Sequence, residues 1–264
     1  MLKTLWNNRW LIVQMTMREV ASRYRGSLLG VSWLIINPLL MLATYTFVFS
    51  FVFKARWGVE QSHTNSEFAL VLFVGLIIHA LLTEVLVRAP THILSNPNYV
   101  KKVVFPLETL TVVSLCTSLF HAMISFAVLL IALITFTDSD LVWTILLLPI
   151  TLAPILPLTL GLGWFLTSLG VYIRDLGQFI GIFCTAMMFL SPVFYPITVL
   201  PEAYQYLLYL NPLTVPIQET REVIIFGGAP NWKNLFIYSG ISIPVCLIGF
   251  LWFQKTRKGF ADVL

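Results

Sequence analysis

The sequence predicts an all-α integral membrane protein with six transmembrane helices, an N-terminal amphipathic interface helix, and a re-entrant periplasmic helical hairpin between spans five and six. Three observations predict it. Of 264 residues, 58% are hydrophobic and 11% charged, with mean hydropathy +0.87; soluble domains run about 45–50% apolar and about 25% charged. The apolar residues come in runs of about 20, the length that crosses a bilayer core. The 16 Lys and Arg divide unequally between alternate loops. Together these exclude a soluble enzyme, a disordered chain and an outer-membrane barrel, whose strands alternate and are only about 10 residues long.

Residues 1–25 read as an amphipathic helix. Leu2, Trp6, Val13, Met17, Val20 and Tyr24 recur at three- and four-residue steps, with Arg18, Ser22 and Arg25 opposite. Leu11, Ile12 and Met15 fall on the polar side and blur the pattern. A basic helix with Trp on its apolar face suits the membrane surface; a short cytoplasmic helix packed on the bundle is the alternative. No 7–15-residue apolar stretch with a cleavage site follows the early arginines, so a cleavable signal peptide is not expected.

Six spans follow, at about 33–53, 68–87, 107–136, 141–172, 178–196 and 235–253. The third and fourth exceed the needed length and are expected to tilt or to extend past the surface. The fourth carries Pro149, Pro154, Pro157 and three glycines and is expected to kink. With a cytoplasmic N-terminus, one side receives 1–32, 88–106, 173–177 and 254–264, which hold twelve Lys and Arg; the other side holds Lys54, Arg56, Arg221 and Lys233. Twelve against four places both termini in the cytoplasm.

Two connecting segments are unusual. The 88–106 loop joins Asn96-Pro97 and Lys101-Lys102 to Tyr99, Val100, Val103, Val104 and Phe105. That mixture suits a short surface or docking helix, or an ordinary solvated turn. After span five, Ser191-Pro192, Pro196, Pro201, Asn211-Pro212 and Pro216 interrupt the chain. Pro201–Leu210 reads as one short helix; a second starts with Asn211 as cap and Pro212 at the first position and ends at Gly227-Gly228. At about 1.5 Å per residue neither crosses a core of about 30 Å. They dip in and return, or lie flat on the outer surface.

Chemistry-bearing residues are sparse. Cys116, Cys184 and Cys246 are far apart in apolar runs and read as buried thiols. The acids avoid mid-membrane positions: Glu60, Glu67, Asp138, Asp140, Glu202, Glu219 and Glu222 fall on the outer side or in the hairpin, and Glu84, Glu108 and Asp175 at inner ends. That argues against an ion-coupled carrier. Glu84 and Arg88 form a local pair four residues apart. His79 and His121 have no acid one turn away and read as hydrogen-bonded core residues. No GxxxxGK[ST] phosphate loop is present, nor a cluster with metal-ligand or nucleophile–base spacing. GxxxG occurs at Gly26–Gly30 and Gly177–Gly181 and is weak evidence for helix dimerisation. The 20 Phe, 9 Tyr and 8 Trp suit interfacial belts or a sugar-conducting path.

Specific residues carry a resemblance. Arg18-Glu19, then Arg23-Tyr24-Arg25-Gly26-Ser27-Leu28-Leu29-Gly30, Trp33 and Pro38 resemble the opening of the membrane subunits of ABC-2 type polysaccharide exporters. Ser191-Pro192-Val193-Phe194-Tyr195-Pro196, Leu200-Pro201, Leu210-Asn211-Pro212-Leu213, Arg221 and Gly227-Gly228 resemble that family's run before the last span. The O-antigen lipopolysaccharide exporters are nearest in kind, with teichoic-acid and capsule exporters as relatives. The resemblance implies one ABC-2 type transmembrane domain over 1–264. Residues 1–32 are its interface helix. Spans one to five run from 33 to 196, with a cytoplasmic coupling or gate helix at about 90–106. The periplasmic gate hairpin covers 197–234, and span six with a cytoplasmic tail covers 235–264. It implies a homodimer in the bacterial inner membrane, two copies of a cytoplasmic ATPase that holds ATP and Mg, a polyprenyl-diphosphate-linked glycan as substrate, and neither a cofactor on this chain nor a nucleic-acid partner. Arg18, Arg23, Arg25, Tyr99, Lys101, Lys102, Arg174 and Asp175 are the expected ATPase-coupling residues. Phe194, Tyr195, Tyr204, Tyr206, Tyr209 and Arg221 are the expected path or gate residues. An exporter of drugs or small lipids, and a membrane-embedded glycosyl- or acyltransferase, are the competing functions.

Overall fold

The computed structural model describes residues 2–48, 65–101, 105–136 and 142–263, and among them all regular structure is helical. Lys54, Arg56, Glu60, Lys102, Val103, Val104, Asp138, Asp140 and the end of the expected first span lie outside the described residues, as do the side chains of Glu67 and Lys101.

Four helical stretches are long and apolar enough to cross a membrane: Phe68–Thr91, Thr109–Thr135, Trp143–Tyr172 and Trp232–Val263. They contain α4 (Asn65–Arg88), α6 (Thr109–Phe136), α7 (Leu148–Leu152) with α8 (Ile155–Tyr172), and α12 (Trp232–Thr256). The expected kink in span four falls at Ala153-Pro154, between α7 and α8. The first and fifth expected spans are shorter helices, α3 (Trp33–Thr46) and α9 (Leu176–Phe189), of 14 residues each. At 1.5 Å per residue each covers about 21 Å. The α9 helix ends before residue 196 because the chain turns at Leu190-Ser191, ahead of Pro192.

The α4 helix lies at the centre. From Phe68 to Ile78 every residue is buried, as are Leu81, Leu82, Val85 and Leu86. It packs against α3, α6, α8, α9 and α11 (Thr214–Ile224). A helix that is apolar all round is one that its neighbours enclose. Its one open stripe carries His79, Ala80, Thr83, Glu84, Val87 and Arg88. Buried hydroxyls add bonds between helices: Ser118 donates to the Leu81 carbonyl over 2.8 Å, and the Thr111 and Thr167 hydroxyls lie 3.2 Å apart.

The tightest crossing joins α8 to α12. A Cβ on Gly161 would lie 2.4 Å from the Val245 carbonyl oxygen, and one on Gly249 would lie 2.1 Å from that of Gly161. Small residues allow such backbone-to-backbone approach. The two GxxxG patterns do not make this contact: Gly26, Gly30, Gly177 and Gly181 all face open space.

The N-terminal segment is two helices, α1 (Leu2–Asn7) and α2 (Arg9–Tyr24), rather than one. The segment uses two faces. Trp6, Trp10, Val13 and Met17 are exposed, whereas Ile12 is buried and Leu5, Met15, Thr16 and Glu19 are half-buried, with α2 against α6. The residues that blurred the pattern are those that dock on the bundle. The tryptophan-bearing face is left outward, where it suits the lipid interface.

Replacing Gly161 with Val forces a side chain into the α8–α12 backbone contact. Overpacking of this kind costs about 1–3 kcal/mol. The detergent-solubilised variant is expected to unfold at a clearly lower temperature, while Gly177→Val, in open space, leaves the transition in place.

Candidate functional site

A charged quartet ties the N-terminal helix to the central span. Glu19 and Arg23 are four apart on α2; Glu84 and Arg88 are four apart on α4. The pairs face each other with opposite polarity: Arg88 donates to Glu19 and Arg23 donates to Glu84. Arg88 also lies 3.4 Å from Glu84. Burial lifts the Glu19 carboxyl above the ordinary glutamate range, against the pull of Arg88. His121 of α6 joins the quartet, with Nδ1 at 3.1 Å from both Glu84 Oε2 and the Arg23 guanidinium. Its acidic partner comes from the neighbouring helix, not from one turn along its own. His79 makes the expected hydrogen bond, with Nε2 3.1 Å from the Cys184 carbonyl. Beyond span two, burial and then the Arg88 charge push His92 down to about 4, so its imidazole is neutral.

A crevice of about 360 Å³ opens beside this quartet. The α3 helix supplies one wall through Trp33, Asn37 and Tyr45; α4 supplies Phe73, His79 and Glu84; α6 supplies His121 and Ser125; Arg23 and Tyr24 lie at the end of α2. Of the open stripe of α4, His79, Ala80, Thr83 and Glu84 line this crevice. Sequence reading does not find the crevice. The signal it carries is the match of two i,i+4 acid–base pairs, Glu19/Arg23 and Glu84/Arg88.

The expected coupling residues are distributed. Arg18, Arg25, Arg174 and Asp175 are exposed, Arg23 is committed to the quartet, and the Lys101 backbone closes the short helix α5 (Pro97–Lys101). Tyr99 stacks on Phe105 with ring centroids 4.4 Å apart. Both pack on a second apolar core made of Ile93, Leu107, Leu110, Trp164, Phe253 and Phe260. Phe260 opens a short terminal helix, α13 (Phe260–Val263), which packs against α5 and α8. Leu5 of α1 leans on the same core. Arg257 reaches the buried Glu108 at 3.2 Å.

The interrupted segment has two unlike arms. In α10 (Glu202–Leu208) and the turn after it, Tyr204, Tyr206 and Tyr209 are all exposed. In α11 nearly every side chain is buried. This second helix starts at Thr214, not Pro212. Asn211 caps the preceding turn instead, accepting from the Leu213 N–H over 3.0 Å and donating to the Met187 carbonyl over 2.9 Å. Its end matches expectation: Gly227 takes φ +68° and the Gly228 N–H donates to the Glu222 carbonyl. Phe194 stacks on Phe189, and the Tyr195 hydroxyl donates to the Phe189 carbonyl over 3.1 Å. Arg221 is 3% exposed. Its guanidinium donates to the carbonyls of Val71, Pro192 and Val193, with Nε 2.9 Å from Val71 and Nη2 2.8 Å from Val193. It joins α11, the Ser191–Pro196 turn and the central helix. Gly75 makes room for it, since a Cβ there would lie 2.9 Å from the guanidinium. Glu219 anchors the far side, accepting from the Asn231 N–H over 2.6 Å and the Asn234 amide over 3.0 Å.

A model of the ABC-2 type transporter family matches residues 11–225, and the chain belongs to that family. It is 25% identical over 264 residues to the O-antigen export system permease protein RfbA of Myxococcus xanthus, covering 99% of this chain and 98% of that one. It is 22% identical over 254 residues to the protein of the same name from Klebsiella pneumoniae, covering 96% and 95%. It is 22% identical over 253 residues to the polysialic acid transport protein KpsM of Escherichia coli, covering 92% and 91%.

Two outcomes are expected. Cys116 lies under α2, against the Thr16 side chain. In a chain keeping only that thiol, Glu84→Gln removes the carboxylate that holds Arg23, leaves the Arg88–Glu19 pair as the remaining ion pair between α4 and α2, and loosens α2, so maleimide labelling of Cys116 rises several-fold over the otherwise unaltered chain. Arg221→Lys keeps the charge but loses the planar fork that serves three carbonyls. Each lost bond to a buried acceptor costs about 1–3 kcal/mol, so this variant unfolds at lower temperature in detergent.

Proposed function

We propose that the chain is the channel-forming permease subunit of an ATP-driven exporter that moves a polyprenyl-diphosphate-linked polysaccharide, of the O-antigen class, across the bacterial inner membrane. The observation that carries this reading is the end-to-end match to relatives named as O-antigen export permeases. The sequence has no phosphate loop, so ATP and Mg belong to a separate cytoplasmic ATPase, present in two copies.

The helices α3 and α9 complete a set of six spans, and both termini are cytoplasmic. These two expose Asn37, Thr44 and Gln178 on otherwise apolar helices. Hydrocarbon offers such side chains no partner. Their flanks therefore face a second copy of the chain around a water-filled path. The exposed charges Arg18, Arg25, Arg174 and Asp175 and the segment of Tyr99, Lys101 and Lys102 present the coupling surface to the ATPase. In the outer hairpin α11 is the fixed wall, held by Arg221 and Glu219. The exposed α10 is the moving part of the gate and offers Tyr204, Tyr206 and Tyr209 to the glycan, with Phe194 and Tyr195 at its base.

The test is purification from the native membrane. The chain is expected to bring down a stoichiometric ATPase and a lipid-linked glycan, and to hydrolyse no ATP without that subunit. A Walker-lysine change in the partner abolishes export. Co-purification of a drug or small lipid in place of a glycan overturns the substrate, and a partnerless chain overturns the class.

A further inference from the structure

We propose that the crevice between α3, α4 and α6 is a saccharide subsite, which holds one or two neutral sugar rings of the substrate beside the Arg23–Glu84–His121 cluster. The proposal rests on the exporter reading and names a site within it.

Hydrogen-bonding capacity points to a ligand. The Trp33 indole N–H and the Asn37 amide lie one turn apart on the crevice wall, and neither makes a hydrogen bond among the described residues. The neighbouring hydroxyls are occupied: Thr83 donates to the His79 carbonyl over 2.8 Å and Ser125 to the His121 carbonyl over 3.0 Å. An amide in the second turn of an apolar helix is costly unless something polar meets it. A water-filled or ligand-filled crevice supplies that.

Charge selects the class of ligand. Arg23 and Arg88 are balanced by Glu84 and Glu19. Opposite unit charges side by side cancel most of each other's field on a third charge. What an entering phosphate gains from Arg23 it loses to Glu84, so an anion receives no net pull. A polyhydroxy ring uses both signs, donating to Glu84 and accepting from Arg23, Trp33 and Asn37. Tyr24, Trp33, Tyr45 and Phe73 supply aromatic faces for its C–H side. The volume agrees: about 360 Å³ is at the small end of the range of about 300–1,000 Å³ for ligand sites, enough for a short saccharide and too little for a polyprenyl chain with its headgroup.

The test uses the whole transporter in cells that make the glycan. A benzophenone-bearing amino acid replaces Asn37, Tyr45, Tyr204 or, as a control on the exposed flank of α12, Ile248. After irradiation the purified chain is stained for carbohydrate, before and after mild acid, which cleaves the sugar–diphosphate bond. The expected result is glycan-bearing adducts at positions 37 and 45, about tenfold above position 248, that survive acid. Asn37→Leu in the Tyr45-probe chain lowers the adduct about tenfold, the equivalent of one hydrogen bond, with the amount of chain in the membrane unchanged. Adducts that lose their glycan in acid show that the crevice holds the lipid end and overturn the proposal. So does a glycan signal at 204 but not at 37 or 45, which leaves the exporter reading standing. Undiminished glycan export after deletion of the chain sinks that reading, and the subsite with it.

Discussion

The enclosure of α4 is the constraint on which the rest of the structure depends. A helix that buries its whole circumference from Phe68 to Ile78 needs a neighbour on every side, and the bundle is the set of neighbours it recruits. The α6 helix covers it most extensively, α3, α8 and α9 lean on it, and α11 closes the remaining side. Where the neighbours stop, at His79, Thr83, Glu84 and Arg88, the side chains change from apolar to polar. The same helix that organises the core therefore defines the crevice, and its Glu84 and Arg88 hold the N-terminal helix in place.

Much of this was legible in the sequence, because burial in a membrane protein is written in long runs. The four long spans, the break at Pro154, the two short helices after span five and the stop at Gly227 all follow from apolar length and from Pro and Gly positions. What failed to show depends on tertiary contacts. The α2 helix has two apolar faces, and periodicity alone selects the richer one, with Val13 and Met17, rather than the one that docks through Ile12. His121 looks isolated because its partner Glu84 is 37 residues away. Arg221 reads as a charge near a path, yet its three carbonyl partners come from Val71, Pro192 and Val193, which no local pattern connects. Gly75 gives no sign of its purpose until the guanidinium above it is seen.

The two arms of the interrupted segment, α10 and α11, illustrate how irregular backbone divides labour. Irregular backbone inside a bilayer must find partners within the protein. The turn at Pro192-Val193 finds them in Arg221, and Thr144 donates to the Val223 carbonyl over 2.7 Å. With α11 absorbing those obligations, α10 carries fewer: its side-chain links are a Gln205 bond to the Leu200 carbonyl, a bond from the Thr214 hydroxyl to the Leu208 carbonyl, and the burial of Leu208. Local opening is drawn from the least-tethered elements, and here that element is the one with the exposed tyrosines.

The crossing at Gly161 and Gly249 has a mechanical consequence. Side chains between helices act as a lubricating layer, since rotamers exchange as one helix slips past the other. At the Gly161–Gly249 contact no such layer separates α8 from α12. A slip of one residue, about 1.5 Å, carries Gly249 off Gly161 and sets a side chain against backbone. The pair therefore behaves as a single beam. Any cycle that this protein executes is taken up at its side-chain-rich joints, with the beam moving as one piece.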